Sequence, residues 1–103
     1  MDIASPDAGR KVISFIRFLH NGAERTAKGR SAWALNELIK AGIAGITSLE
    51  NPAPRLAAYI AKLRKGGVNI ETIHEAHGGA FAGRHARYVL RSPITVIETV
   101  EAA

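Results

Sequence analysis

Hydrophobic residues recur along this chain with two different periods, and the switches between them mark its elements. From Pro54 to Gly66, PRLAAYIAKLRKG, the apolar residues Leu56, Ile60 and Leu63 fall at i, i+4 and i+7, one stripe of a helix. The other side carries Arg55, Tyr59, Lys62 and Lys65, a basic line holding one aromatic and no acid. Pro54 suits a first helical turn, where its missing N–H costs nothing, and Gly66-Gly67 supplies the stop after cations that favour a helix C-terminus. By itself such a segment reads as a solvated amphipathic helix as readily as a binding one. What surrounds it decides.

A second helical pattern runs from Arg30 to Ala41, with Ser31 as N-cap, Ala34, Leu35, Leu38 and Ile39 as the buried stripe and Gly42 as the stop. Trp33 lies off that stripe, with packing against the N-terminal segment as its expected role and binding as the alternative. Between the two helices, Ile43 to Asn51 reads as a connector in which Thr47 or Ser48 caps a brief helix through Leu49 and Glu50. Asn51-Pro52-Ala53-Pro54 then makes a stiff turn. Helix, short helix, turn and basic helix is helix-turn-helix order, with residues 54–66 in the recognition position.

The period changes to two on either side. Val12 to Leu19, VISFIRFL, fits a helix through Val12, Phe15, Ile16 and Leu19, while its β-branched and aromatic content favours a strand. The Asn21-Gly22 step that follows is a hairpin turn signal, so a hairpin over residues 11–28 is expected. Val68 to Glu75 alternates, residues 77–84 form a glycine-rich loop flanked by His77 and Arg84, and His85 to Arg91 alternates again. A hairpin with a long basic tip directly after a basic helix is a wing, spanning residues 68–91. Ile94 to Val100 adds a short edge strand. The expected fold is α+β: a winged helix-turn-helix of three helices and a C-terminal hairpin wing, preceded by an N-terminal hairpin. It forms one domain over residues 11–100, with helices within 30–67, behind a flexible leader of residues 1–10.

Charge sharpens this picture. The 103 residues carry a net charge of +5. From Asn51 to Arg91 the bases Arg55, Lys62, Arg64, Lys65, Arg84, Arg87 and Arg91 face only Glu71 and Glu75, whereas the first fifty residues are nearly balanced. An excess confined to the helix and wing suits a polyanionic partner. There is no cysteine, hence no disulfide or thiolate chemistry. No apolar run approaches the roughly 18 residues of a membrane span, and the expected location is the cytoplasm, without membrane contact.

Other chemistries find little support. His74 and His77 point to opposite faces of a strand and His20 and His85 lie far away in sequence, so no metal site is expected. The glycines of residues 78–83 do not join a strand to a helix as a dinucleotide loop requires. No nucleophile–base or paired-carboxylate arrangement stands out. The reading is a non-enzyme without cofactor.

The stretches GRSAWALNELIKAG, GITSLENPAPRLAAYIAKLRKGGVNIET and HGGAFAGRHARYVLRSPITV resemble the small winged-helix proteins found mainly in alphaproteobacteria and their phages or mobile elements. The resemblance spans about residues 29–97. It implies DNA binding through the residues matching PRLAAYIAKLRK and FAGRHARYVL, the same ones the charge pattern selects. The candidate contacts are therefore Arg55, Tyr59, Lys62, Arg64 and Lys65 on the helix, and Arg84, His85 and Arg87 on the 77–87 wing. Arg55 and Tyr59 sit where side chains reach base edges, and the later cations sit where they reach phosphates. Arg84, His85 and Arg87 lie over a backbone or a minor groove. Against these stand a half-buried packing role for Tyr59 and a solvated hairpin for Arg84 and Arg87. The expected partner is double-stranded DNA, bound by a transcriptional regulator or a mobile-element accessory factor. The alternative is a protein-interaction module or homodimer using the same surface, and RNA is a weaker third.

Overall fold

The computed structural model describes residues 12–49, 55–79 and 83–102. The chain begins with an antiparallel hairpin of β1 (Ile13–His20) and β2 (Ala23–Lys28). Helical and strand spacings competed over residues 12–19, and the strand forms because alternation puts Ile16, Phe18 and His20 inside while Leu19 stays exposed. Asn21 and Gly22 both take positive φ, at 53° and 77°. That pair of left-handed residues is what a two-residue hairpin turn matching the twist of its strands requires.

Helix α1 (Gly29–Ala41) follows β2 without a loop. It starts a residue before the expected Arg30, and Lys28 rather than Ser31 holds the N-cap position. Ser31 is inside the first turn and buried. Ala34, Leu35 and Leu38 form its buried stripe and Ile39 packs at the edge of the core. Gly42, at φ 57°, ends the helix and opens a 3-10 turn over Gly42–Ala44.

The three-helix expectation fails at the next segment. Where a short second helix was expected, Ile46–Thr47 is a strand, β3, paired antiparallel with residues 87 and 88. Two local features account for this. Gly45 has φ 70°, and a Cβ there would stand 2.6 Å from the Tyr88 carbonyl oxygen, so the backbone lies flat against the neighbouring strand. Ile46 and Thr47 are both fully buried, and the Thr47 hydroxyl accepts the Leu49 N–H, closing a turn instead of capping a helix. The described residues thus form two α-helices and six strands, not a three-helix winged helix-turn-helix. Glu50, the Asn51–Pro54 turn, the loop tip at residues 80–82 and the leader of residues 1–10 lie outside the described residues.

Helix α2 (Leu56–Lys65) buries Leu56, Ile60 and Leu63, the stripe read from the sequence. Its end is a Schellman motif: the Val68 N–H donates to the Leu63 carbonyl, and the Gly67 N–H to that of Arg64. Gly67 supplies the left-handed residue at φ 98°, and Leu63 and Val68 bury together. The chain leaves this cap directly into β4 (Ile70–His77), which pairs with β5 (Gly83–Leu90) in an unbroken eight-pair register from Ile70↔Leu90 to His77↔Gly83. The second sheet therefore has the order β3-β5-β4.

Strand β6 (Ile94–Glu101) does not extend the wing. It crosses to the first sheet and pairs antiparallel with β1, giving the order β2-β1-β6. The core joins both sheets to both helices: Ile16 and Phe18 from β1, Leu35 and Leu38 from α1, Ile46 from β3, Ile60 and Leu63 from α2, and Ile70 from β4. Tyr88 is half-buried at its margin. Val89, beside it on β5, is fully buried.

Candidate nucleic-acid interface

Burying Leu56, Ile60 and Leu63 turns the opposite side of α2 outward, and the arc Ala57, Ala58, Ala61, Lys62 and Lys65 is exposed. Its N-terminal flank faces the start of α1. Arg55, Ala58, Tyr59 and Lys62 from α2, with Lys28, Gly29, Arg30 and Ser31 from the β2–α1 junction, line one open concavity. Four cations and an aromatic meet there, and among the described residues no acidic side chain lines it. Lys28, Ser31 and Lys62 are shared with an adjoining concavity that adds Arg25 and, among the described residues, no acid. Arg30 lies over the Trp33 ring at 4.4 Å and over the Tyr59 ring at 5.8 Å from the centroids. It is thus held across the two helices by cation–π contact while remaining exposed.

The eight candidates separate into two groups. Arg55, Tyr59 and Lys62 share the concavity, Lys65 is exposed in the last turn of α2, and Arg84 is exposed beside Ser48, Leu56 and Ala57 on the other flank. The remaining three are held by internal partners. Arg64 donates through Nε and Nη2 to the Ile70 carbonyl at 3.1 and 2.6 Å and reaches the Thr72 hydroxyl. Arg87 donates from Nε to Glu75 Oε2 at 2.8 Å and from Nη1 to the Ala44 carbonyl at 2.9 Å. His85, with only 12% of its side chain exposed, places Nε2 2.9 Å from Glu75 Oε1 and Nδ1 2.9 Å from the Nδ1 of His77.

That last contact fixes proton positions. A carboxylate only accepts, so His85 Nε2 carries a proton toward Glu75 and a neutral His85 has a bare Nδ1, to which His77 Nδ1–H donates. Glu75 is the hub. The hydrogen bond from Arg87 pulls its carboxyl below the ordinary value, partial burial opposes this, and the His85 bond adds to the lowering. Cross-strand pairing puts Glu75 opposite His85, and Ile73 opposite Arg87 one step along the same face, which assembles the cluster. Among the described residues no group of three or more His, Cys, Asp or Glu is placed to hold a metal ion.

Sequence reasoning missed Lys28 and Arg30. They belong to the half of the chain whose charge is balanced overall, and the only signal was their place at the mouth of α1. The balance conceals a segregation: Glu24 and Glu98 pair with Arg17 on β1, and Glu37 with Lys40 near the far end of α1.

The strand β3, which follows α1 and the 3-10 turn, pairs with the hairpin that follows the exposed basic helix α2. A family model described as winged helix domain matches residues 24–100, and the chain belongs to that family. No curated protein and no solved structure gave a match. Among the described residues, no helix is long and apolar enough to cross a membrane.

Proposed function

We propose that this winged-helix chain binds double-stranded DNA in the cytoplasm, as a transcriptional regulator or an accessory factor of a mobile element, and that its role is binding rather than catalysis. The observation that carries the reading is the concavity, lined by no acid among the described residues, where Lys28, Arg30, Arg55 and Lys62 surround Tyr59 on the exposed flank of α2. Duplex DNA presents one negative charge per roughly 1.7 Å of axis, and converging cations without competing carboxylates are the complement of that array. In this reading α2 lies in the major groove. Its alanines at 57, 58 and 61 let the backbone approach, Arg55 and Tyr59 reach base edges, and Lys62 and Lys65 contact phosphates. Arg84 provides the wing contact, while Arg64 ties the wing to α2, His85 braces the hairpin from within and Arg87 links it to the 3-10 turn at Ala44.

Binding of mixed-sequence duplex DNA across a salt series tests this. Affinity should fall steeply as salt rises, since each neutralised phosphate releases counterions. Binding that is absent at low salt would overturn it.

A protein partner, including a second copy of the chain, is the other reading. It is favoured by one observation: β6 is an edge strand whose Val96, Ile97 and Val100 are exposed. Sedimentation of the chain alone separates the two, because self-association through β6 would show as a dimer without DNA.

A further inference from the structure

We propose that the notch between the first turn of α1 and the flank of α2 is a built seat for a single phosphodiester group, in which α1 grips the DNA backbone alongside α2. The proposal rests on the DNA-binding reading and adds to it a second helix, a defined ligand group and residues outside the recognition helix and wing.

Three observations converge on the notch. First, the backbone there offers donors. The amides of Gly29, Arg30 and Ser31 open a 13-residue helix, so the helix itself gives them no acceptor, and no side chain caps them. The first turn also contains no acid that would occupy the positive end of the helix dipole. Second, Ser31 is buried, with 5% exposure, and lines both adjoining concavities, yet its hydroxyl has no hydrogen-bond partner among the described residues. The hydroxyl is not one of the fully enclosed polar atoms without a partner, so it opens onto the notch, where an oxygen of a seated anion can accept from it. Third, the cations are placed in advance. Arg30 is held over Trp33 and Tyr59, and Lys28, Arg55 and Lys62 enter from the other walls. Gly29, at φ 62°, has open space where a Cβ would stand, so an anion can come close to the backbone.

Such a seat requires a tetrahedral anion small enough to accept from three amides and a hydroxyl at once. A phosphodiester carries one negative charge like a carboxylate, but its tetrahedral phosphorus adds two ester oxygens to the two anionic ones, so it presents acceptors in more directions than a planar carboxylate. The source within the proposed function is the backbone of the duplex lying along α2. Free inorganic phosphate shares the chemistry and serves as the probe that isolates the notch.

The full-length chain carries the test. Amide signals of Gly29, Arg30 and Ser31 are followed by NMR while inorganic phosphate replaces chloride at constant ionic strength, and duplex affinity is then measured across salt for wild type, Lys28→Ala and Lys40→Ala. Lys40 pairs with Glu37 and makes an equal charge change remote from the notch. The expected result is a saturable phosphate-dependent shift at residues 29–31 that Lys28→Ala weakens. Lys28→Ala should also reduce the salt slope of duplex binding by about one, with Lys40→Ala unchanged. If phosphate leaves those amides in place, the seat does not exist. If both variants lose duplex affinity alike, net charge explains the effect and the proposal falls. If wild type binds duplex and Lys28→Ala matches it at every salt, the DNA reading stands and the seat does not. If no duplex binds while phosphate still shifts the three amides, the DNA reading falls, and the notch is a seat for another phosphate-bearing ligand.

Discussion

The guanidinium of Arg64 donates twice to the carbonyl oxygen of Ile70, so the last turn of α2 is tied directly to the first residue of the wing. Sequence position alone made Arg64 a phosphate contact. Its side chain instead turns along the helix, passes 6.0 Å from the centre of the Tyr88 ring and orients the hairpin relative to the helix. The Schellman cap two residues later fixes the same junction through the backbone. Helix and wing are one rigid surface because of these two ties.

Arg64→Ala should therefore act on stability more than on charge attraction. Losing a charged donor from a half-buried carbonyl costs about 1 to 2 kcal/mol. Urea unfolding followed by circular dichroism should show that loss, and the midpoint should recover little with added salt. An unchanged midpoint, with a reduced salt slope for DNA, would return Arg64 to the phosphate contacts.

Gly45→Ala should be a severe change for one methyl group. The new Cβ would stand 2.6 Å from the Tyr88 carbonyl oxygen and 2.8 Å from Val89 Cγ2, at a φ that L-residues seldom adopt. Steric and backbone costs add, so more than about 1 kcal/mol should be lost. The melting transition reports it, and amide exchange should locate the damage at β3 and β5 rather than in the first sheet.

Arg55→Ala and Arg84→Ala should differ in kind. With a preferred site selected from random duplexes, Arg55→Ala should cost about 1 to 3 kcal/mol on that site and little elsewhere. Arg84→Ala should weaken all sequences alike and lower the salt slope by about one. If selection enriches nothing, or if both variants lose affinity equally on every duplex, α2 is a charged platform and Arg55 does not read bases.

The Glu75 cluster predicts a pH dependence with a definite sign. A carboxyl held below its ordinary value by Arg87 binds fewer protons folded than unfolded, so its stabilisation is complete above the unfolded value. It is lost as pH falls through the lower, folded value. Acid should accordingly loosen the β4–β5 hairpin before the β1–β2 hairpin, seen as earlier loss of amide protection in the wing. Glu75→Gln should remove that difference while leaving the hairpin formed at neutral pH. An identical acid response in both proteins would remove Glu75 from this role.

Much of the fold was legible because local signals agreed with one another. The stripe Leu56, Ile60 and Leu63, the glycine stop after Lys65 and the Asn21-Gly22 turn each have one physical solution within a few residues. The missing second helix shows where that agreement ends. Thr47 is an acceptable cap by type, but its neighbours Gly45 and Ile46 are claimed by a strand some forty residues away, and only the folded chain contains Tyr88. The site was legible by the same measure. Arg55, Tyr59 and Lys62 share a helix and were found together, whereas Arg30 reaches them only after α1 packs beside α2. His85 and Arg87 looked free because Glu75 is respectively ten and twelve residues distant along the chain, though directly opposite the first and one step from the second across the ladder.

The pairing of β1 with β6 sets an order of events during synthesis. Ile13 meets Glu101, and His20 meets Ile94, so one edge of the first strand finds its neighbour only after nearly everything between has been made. The β1–β2 hairpin, both helices and the wing can assemble from nearby contacts while that edge is bare. Closure across so long a loop comes late and slowly, and the nascent domain meets other chains in the meantime with an open strand of alternating apolar residues. The ribosome-bound chain should therefore be protease-sensitive along β1 until β6 has emerged, and a chaperone that recognises extended apolar segments would find its binding site there.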